Sequence, residues 1–162
     1  MTAGTSDWER RLSDLWASID EHSEVEFLAR VNQLADELPV DNPEGVFERA
    51  CALDSTGHSD QAAPLYRKAL DLGLTGLRRR RAVIQMASSL RNLGRAEESV
   101  SLLRAERAAG SDELDDAVSA FLALALVDTG QEREAIALAL TALSAHMTRY
   151  RQSLARYAED LL

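Results

Sequence analysis

The chain has 162 residues, 46% of them hydrophobic and 28% charged, and a formal net charge of -9 at pH 7. This length suits a single domain with its own apolar core, and the acidic balance argues against a general nucleic-acid-binding protein. No window approaches about 18 uninterrupted apolar residues, so no membrane span is predicted. Arginine is concentrated between residues 61 and 110, while both flanks are acidic. Only this central segment is therefore expected to attract an anionic group.

Alanine and leucine dominate the sequence, and no alternation of Val, Ile and Thr lasts more than a few residues, so an all-α fold is predicted. Residues 1–6 lack a basic stretch followed by an apolar one, so no signal peptide is expected. Cys51 is the only cysteine, which excludes an internal disulfide and fits a reducing compartment; we expect it to be a small buried residue. These features predict a cytoplasmic protein. Lys68 is the only lysine, and we attribute this bias to a bacterial codon composition.

The first 38 residues predict a helical hairpin. Ser6 with Glu9 and Ser23 with Glu26 have the spacing of capping boxes, each of which opens a helix. The apolar face of the first helix comprises Trp8, Leu12, Leu15, Trp16 and Ile19, and that of the second comprises Val25, Leu28, Val31, Leu34 and Leu38. We interpret residues 6–38 as a cap on the rest of the fold. Asn42 is then expected to cap a third helix.

From Asn42 onward the sequence repeats. Gly57, Gly94 and Gly130 lie 37 and 36 residues apart, and Gly73 and Gly110 are also 37 residues apart. Each glycine follows a segment with apolar residues at helical spacing, where it is the usual residue just past a helix end. A fixed period of this length predicts stacked helix pairs that cannot fold alone, with the hairpin of residues 75–110 at their centre.

The clearest repeat unit is Gly57-Ala62-Tyr66-Ala69, which resembles a tetratricopeptide repeat. The motif of that family has glycine at the turn, alanine five residues on, a bulky residue four later and alanine three later. The second unit departs from this motif at Ser99 and Glu106, and the third departs at Ala139. The stretch from Phe47 to about Leu143 further resembles the bacterial subgroup called tetratricopeptide repeat group five.

The resemblance implies a right-handed α-solenoid of about three antiparallel helix pairs within one domain, residues 1–162. The expected parts are the capping hairpin and three repeats, followed by a long C-terminal helix; the repeats are residues 43–73, 75–110 and 111–145, and the extension is residues 146–162. It also implies a non-enzymatic protein-interaction module. In such repeats the first helix of each pair, here called the lead helix, lines a concave groove.

Carried onto this chain, the groove face changes from acidic to basic to apolar, which suits an extended or helical peptide of a partner protein. Its residues are Glu44, Phe47, Cys51 and Asp54 in the first repeat, Arg81, Ile84, Ser88, Arg91 and Asn92 in the second, and Ala117, Ala120, Leu124 and Val127 in the third. Arg81, Arg91 and Asn92 are the expected polar contacts, and Phe47 and Ile84 the expected apolar ones. Alternatively, the protein's own termini fill part of this groove.

Arg78 to Arg81 open a predicted helix, where positive charge opposes the helix dipole. One interpretation is a charge ladder between repeats: Arg79 and Arg80 beside Asp115 and Asp116, Arg81 near Glu44, and Arg78 near Asp41. A patch for an acidic peptide is the second interpretation. Phosphate or nucleic acid is the third, although no aromatic interleaving or glycine-rich loop accompanies the arginines.

Residues 131–162 contain no glycine or proline, and large apolar residues recur there at alternating steps of four and three. Such a stripe over about four heptads is longer than the hairpin of its own repeat can cover. It predicts a capping helix that packs back on the array or breaks near His146, or a helix covered by a second subunit. The dimer interface would then comprise Met147, Tyr150, Leu154, Tyr157 and Leu161.

No motif for catalysis accompanies these patterns. His22, His58 and His146 have no partners at metal-ligand spacing, and no nucleophile elbow, P-loop or dinucleotide fingerprint occurs. We therefore expect no cofactor and no enzymatic activity. Two hypotheses follow: a module that binds an unidentified protein or peptide in its groove, and a structural homodimer formed through the C-terminal helix.

Overall fold

A computed structural model describes residues 3–162, with side chains from Asp7 onward. The described residues form α-helices and one short 3₁₀ turn after the first helix, and no strand occurs among them. The helices are α1 (Ala3–Ala17), α2 (Glu24–Asp36), α3 (Pro43–Ser55), α4 (Ser59–Asp71), α5 (Gly76–Asn92), α6 (Ala96–Ala109), α7 (Asp115–Asp128), α8 (Glu132–His146) and α9 (Arg151–Glu159). The predicted all-α helical-repeat class is confirmed. Over these residues, no helix combines the length and the apolar character that crossing a membrane requires.

The chain forms two compact units, which meet in sequence between Ala82 and Val83 within helix α5. Unit 1 contains α1 to α4 and the first part of α5. Unit 2 contains the rest of α5 and α6 to α9. The lead helices of the three predicted repeats are α3, α5 and α7.

The core of unit 1 begins between α1 and α2. Trp8 is buried, and its indole Nε1 donates a hydrogen bond to the backbone carbonyl of Leu34 at 2.8 Å. The ring of Trp16 meets the buried Phe27 edge-on, with 5.0 Å between centroids. Two large aromatic residues on one face of α1 therefore fix this helix against its neighbour.

The two capping boxes predicted for this hairpin have different outcomes. Helix α1 begins at Ala3, so Ser6 lies within the helix and the predicted helix start at Ser6 is wrong; the side chain of Ser6 lies outside the described residues. The hydroxyl of Ser23 accepts a hydrogen bond from the backbone N–H of Glu26 at 3.3 Å, as predicted for the start of α2.

Helix α3 starts where the sequence predicts. The side-chain oxygen of Asn42 accepts hydrogen bonds from the backbone N–H groups of Glu44 and Gly45, at 2.9 and 3.0 Å, and Pro43 occupies the first helical position. Proline lacks an N–H group that would be unsatisfied there, so it fits without loss. Two donors at the helix start are thus satisfied by one side chain.

Replacing Asn42 by alanine is expected to lower the free energy of unfolding by about 1 kcal/mol, because both N–H groups lose their acceptor. Replacing Asn42 by aspartate keeps an acceptor oxygen and should change the free energy of unfolding by only a few tenths of a kcal/mol. Urea unfolding followed by tryptophan fluorescence measures both. Equal losses in the two variants would show that the cap does not stabilise α3.

The core of unit 2 joins the second part of α5 to α6, α7 and α8. Gly94 has φ +75° and Gly130 has φ +74°, a left-handed conformation that closes the turns after α5 and α7. These turns place Ile84 and Ala87 in one buried cluster with residues of the next helices, which include Val100, Leu103, Val118, Leu122, Ala123, Leu126, Ala135 and Leu138. Gly110, by contrast, has extended backbone with φ 173°.

The long C-terminal helix of the sequence analysis is divided in two. Helix α8 ends at His146, Met147 has extended backbone, and α9 begins at Arg151 and packs against α8. The break near His146, one of the alternatives above, is therefore the observed one. Tyr150 precedes α9 with φ +63°, the only positive φ of a non-glycine residue in the described part of the chain. No glycine or proline causes this break, so packing must supply its cause.

Candidate binding surfaces

Arg78 is the centre of a charged cluster in unit 1. Its two terminal nitrogens donate to both carboxylate oxygens of Glu9 on α1, at 2.9 and 2.7 Å. Its Nε donates to Oε1 of Glu48 on α3 at 3.2 Å, and Glu44 lies 4.0 Å away. The guanidinium also lies 5.9 Å from the centre of the Trp8 ring. One arginine at the start of α5 thereby connects three helices of this unit.

This cluster settles part of the question about Arg78 to Arg81. Arg78 belongs to a charge ladder, but with Glu9 and Glu48 instead of the expected Asp41, whose carboxylate pairs with Lys68 at 3.1 Å. Arg81, whose expected partner is Glu44, instead contacts the ring of Phe47. The Arg81 guanidinium lies 5.3 Å from the centre of the Phe47 ring, and the residue is exposed. The pairing expected for Arg79 and Arg80 stays a prediction.

Glu48 is the least accessible acid of the cluster, with 3% of its surface exposed. The indole Nε1 of Trp16 donates to its Oε2 at 3.0 Å. Burial raises the pKa of the Glu48 carboxyl, and the charge of Arg78 and the Trp16 hydrogen bond oppose that rise. A carboxylate is thus held in the interior by two donors on different helices.

The Glu48 carboxyl gives stability a specific pH dependence. Its unfolded pKa is near the ordinary 4.5, and its folded pKa is higher, so the folded chain holds more protons between these two values. The contribution of Glu48 is fully present below the unfolded pKa and is lost as pH rises through the folded pKa. We expect the free energy of unfolding of Glu48→Gln, relative to the original protein, to rise across this window and then level off.

The expected size is about 1.4 kcal/mol for each pH unit that separates the folded and unfolded pKa values. Urea unfolding of both proteins between pH 4 and pH 8 measures the difference, and the groups common to both proteins cancel. A difference that falls with pH would contradict a raised pKa.

A cleft of about 250 Å³ opens beside this cluster in unit 1. Its lining combines a half-buried indole with charges of both signs, from Glu9, Leu12, Ser13, Trp16, Glu48, Arg78 and Arg81. Arg78 is committed to Glu9 and Glu48 inside the unit. Arg81 therefore offers the accessible positive charge of the cleft.

The remaining predicted groove residues of unit 1 are mostly covered. Phe47 is fully buried and packs against the ring of Tyr66, with centroids 6.0 Å apart. Glu44 and Asp54 are half-buried, and Asp54 accepts a hydrogen bond from the Tyr66 hydroxyl at 3.4 Å. Cys51 is a free, buried cysteine, as expected. In the observed conformation Phe47 is thus part of the core and offers no surface to a partner.

In unit 2 the predicted polar contacts differ in availability. Ile84, the second expected apolar contact, is buried in the core, and Ser88 is half-buried. The Nε of Arg91 lies 2.6 Å from a carboxylate oxygen of Asp128, so α5 and α7 are joined by an ion pair. Asn92 is exposed.

The exposed apolar surface of this unit includes one face of α7. Leu124 and Val127 are 46% and 50% exposed, and Ala120, one turn earlier, is exposed as well. Residues three and four apart lie on the same side of a helix. These positions are the apolar end of the predicted groove, although the two expected apolar contacts, Phe47 and Ile84, are buried.

The predicted dimer residues divide into two classes. Tyr150 and Tyr157 are 76% and 58% exposed, and the Arg156 guanidinium lies 5.3 Å from the Tyr157 ring centre. The other three, Met147, Leu154 and Leu161, are half-buried.

Sequence reasoning missed the cluster around Arg78. It assigned Trp8 and Trp16 to an apolar face and did not consider Glu9 or Glu48 as partners of an arginine. A usable signal was present: tryptophan carries a polar N–H group, and that group needs an acceptor when the ring is buried. No group of three His, Cys, Asp or Glu side chains in the described part of the chain is placed to hold a metal ion.

Packed helix pairs with glycine at the turns define a helical-repeat protein. A family model described as tetratricopeptide repeat matches residues 43–161, which is most of the chain. The protein therefore belongs to the tetratricopeptide repeat family, as its sequence motif predicts. The class of function that this family indicates is protein–protein interaction. Comparison with curated proteins gave no match, and comparison with solved structures gave none.

Proposed function

We propose that the chain is an interaction module that binds a peptide or helix of a partner protein on its lead helices, within the concave groove that the family implies. The observation that carries the proposal is the exposed apolar face of α7, formed by Leu124 and Val127 with Ala120. Exposed apolar area gains about 25 cal/mol per Å² when a partner covers it. A cytoplasmic partner suits the free, buried Cys51.

The proposal includes two kinds of contact with the partner, one apolar and one charged. The α7 face of unit 2 supplies apolar burial, which provides most of the affinity. Arg81 in the cleft of unit 1 supplies an accessible guanidinium that can pair with a carboxylate of the partner. Arg91 is paired with Asp128, so replacing Arg91 would also remove an ion pair between two helices of the fold. Arg81 is therefore the better of the two arginines for a charge-reversal test.

The test begins with partners captured from cells of the source and identified by mass spectrometry. A purified partner is then titrated against the original protein and the double variant Leu124→Glu, Val127→Glu. Loss of two central apolar contacts should weaken binding by about tenfold or more. Arg81→Glu should weaken it as well, and more so at low salt than at high salt.

A matched control is available on α8. Ile136 and Leu143 are 49% and 52% exposed, close to the values for the α7 pair. The variant Ile136→Glu, Leu143→Glu changes charge and apolar area equally but leaves the lead helices intact. It should bind the partner normally. If the α8 variant loses the partner and the α7 variant does not, the surface is wrongly assigned.

The second candidate function is a structural homodimer formed through the C-terminal helices. It is supported by the exposure of Tyr150 and Tyr157, together with that of Ile136 and Leu143 on the preceding helix. Exposed apolar side chains that form one patch mark interaction sites. Light scattering across a range of concentrations measures the mass, and a constant monomer mass would exclude this candidate.

A further inference from the structure

The corner between α8 and α9 interrupts a stripe that the sequence keeps continuous. On α8 this stripe comprises Ile136, Leu140 and Leu143, and Met147 directly follows the helix; Ile136 and Leu143 are half-exposed, and Leu140 and Met147 are half-buried. The side of α8 that carries Ala135 and Leu138 is already packed in the core of unit 2. The stripe is therefore a second apolar face of the same helix.

Beyond the corner the stripe resumes in the same register. Tyr150, Leu154, Tyr157 and Leu161 continue the alternation of steps of three and four without a skipped residue. In the bent form this stripe is divided, because the two helix segments point in different directions. Leu154 on α9, which packs against α8, and Leu161 just after α9 are half-buried, while Ile136, Leu143, Tyr150 and Tyr157 are exposed. In one straight helix all eight residues would lie along one seam.

The corner itself is made without the residues that ordinarily make one. No glycine or proline occurs between residues 131 and 162, and the turn depends on Tyr150 at φ +63°. That conformation is unfavourable for any residue with a Cβ atom. Helix α9 packs against α8, with Ala158 as its one buried residue, and the Leu161 carbonyl accepts a 3.2 Å hydrogen bond from Nε of Arg133.

We propose that α8 and α9 join into one continuous helix when a second copy of the chain covers the stripe, and bend back when it does not. This inference rests on the homodimer candidate above and specifies its mechanism. A straight helix from residue 132 to 161 is about 45 Å long. It carries about four heptads, enough for a coiled coil, whereas α8 alone carries only about two.

The residues beside the seam favour a second copy as the occupant. Five of the eight flanking positions next to the stripe are small and uncharged, namely Ala137, Ala139, Ser144, Ser153 and Ala158, and the other three are His146, Arg151 and Asp160. Two chains of net charge -9 repel each other in general. A seam flanked by alanine and serine instead of repeated acids lets two such chains approach at this surface.

The test compares Tyr150→Gly with Tyr150→Ala. Both variants lose the same side chain from the stripe, so any lost contact with the second copy is common to them. Glycine favours the left-handed corner and weakens a continuous helix, whereas alanine does the reverse. The dissociation constant of the dimer, measured by sedimentation equilibrium, should be about tenfold or more higher for the glycine variant.

A distance measurement provides the second readout. Ala139 and Glu159 are exposed and 20 residues apart. Spin labels on Ala139→Cys and Glu159→Cys, in a Cys51→Ala background and diluted with unlabelled protein, should be about 30 Å apart along a straight helix in the dimer.

The outcomes separate the two ideas. If the glycine variant dimerises as well as or better than the alanine variant, or if the labels stay close in the dimer, the straightening is overturned while the homodimer stands. If the original protein is a monomer at every concentration, the homodimer candidate fails and the inference fails with it. A tenfold difference together with the long distance supports both.

Discussion

Replacing Arg78 by glutamine is expected to lower the free energy of unfolding of unit 1 by about 3 kcal/mol at pH 7. The reason is Glu48, which is 3% exposed and would keep the hydrogen bond from Trp16 and the weaker influence of the Arg81 charge. Removing one partner of a buried ion pair leaves the other charge without its main compensation. Glu9, at 39% side-chain exposure, returns to water at little cost. Urea unfolding followed by tryptophan fluorescence suits the measurement, because Trp8 and Trp16 are the only tryptophans.

Two further variants isolate this cause. Arg81→Gln removes an exposed guanidinium that stacks on the Phe47 ring, so it should cost less than about 1 kcal/mol. The double variant Arg78→Gln, Glu48→Gln replaces both charges and should be more stable than Arg78→Gln alone. If the second replacement adds to the loss instead, the pair does not act as a unit.

The parts of the fold that depend on local chemistry could be predicted from the sequence. Gly57, Gly94 and Gly130 adopt the left-handed conformation that ends a helix, and Asn42 caps α3 through its own side chain. Each of these features is decided within a few residues of the chain. The repeat period then follows from their spacing, and the match to the tetratricopeptide repeat family confirms the kind of repeat.

The candidate site was predicted less well, because a helical face does not fix what covers it. Phe47 and Ile84 are the predicted apolar contacts of the groove, yet both are buried. Exposure depends on the neighbouring helices, and the sequence does not specify how they pack at any one position. Leu124 and Val127, which are predicted groove residues of the later lead helix α7, are exposed to solvent.

The partners of Arg78 show the same limit at longer range. Glu9 is 69 residues away in sequence and Glu48 is 30 away. An offset of one repeat predicted Asp41 as the partner of Arg78, but Asp41 forms an ion pair with Lys68. Arginine has a long, flexible side chain, so a repeat offset places its backbone and leaves several acids within reach. The C-terminal corner is similar: its sequence favours a continuous helix, and only packing produces the turn at Tyr150.

In unit 2 a large loss of stability is expected when Leu122, a residue of the buried core, is replaced. Leu122 is fully buried and lies in one cluster with Leu103, Leu126 and Val118. Leu122→Ala removes the apolar contacts of the side chain and leaves a cavity, at an expected cost of about 3 kcal/mol. Far-UV circular dichroism during urea unfolding reports the loss.

Leu124→Ala is the matched control, because it makes the same chemical change two residues away on α7. Leu124 is 46% exposed, so its removal should change stability by about 0.5 kcal/mol or less. The same variant should weaken binding of a partner under the function proposed above. One helix would then show a clean separation: Leu122 stabilises the fold with no contact to a partner, and Leu124 contacts a partner with little effect on the fold. Equal losses of stability at the two positions would mean that the α7 face is covered, and a partner could not use it.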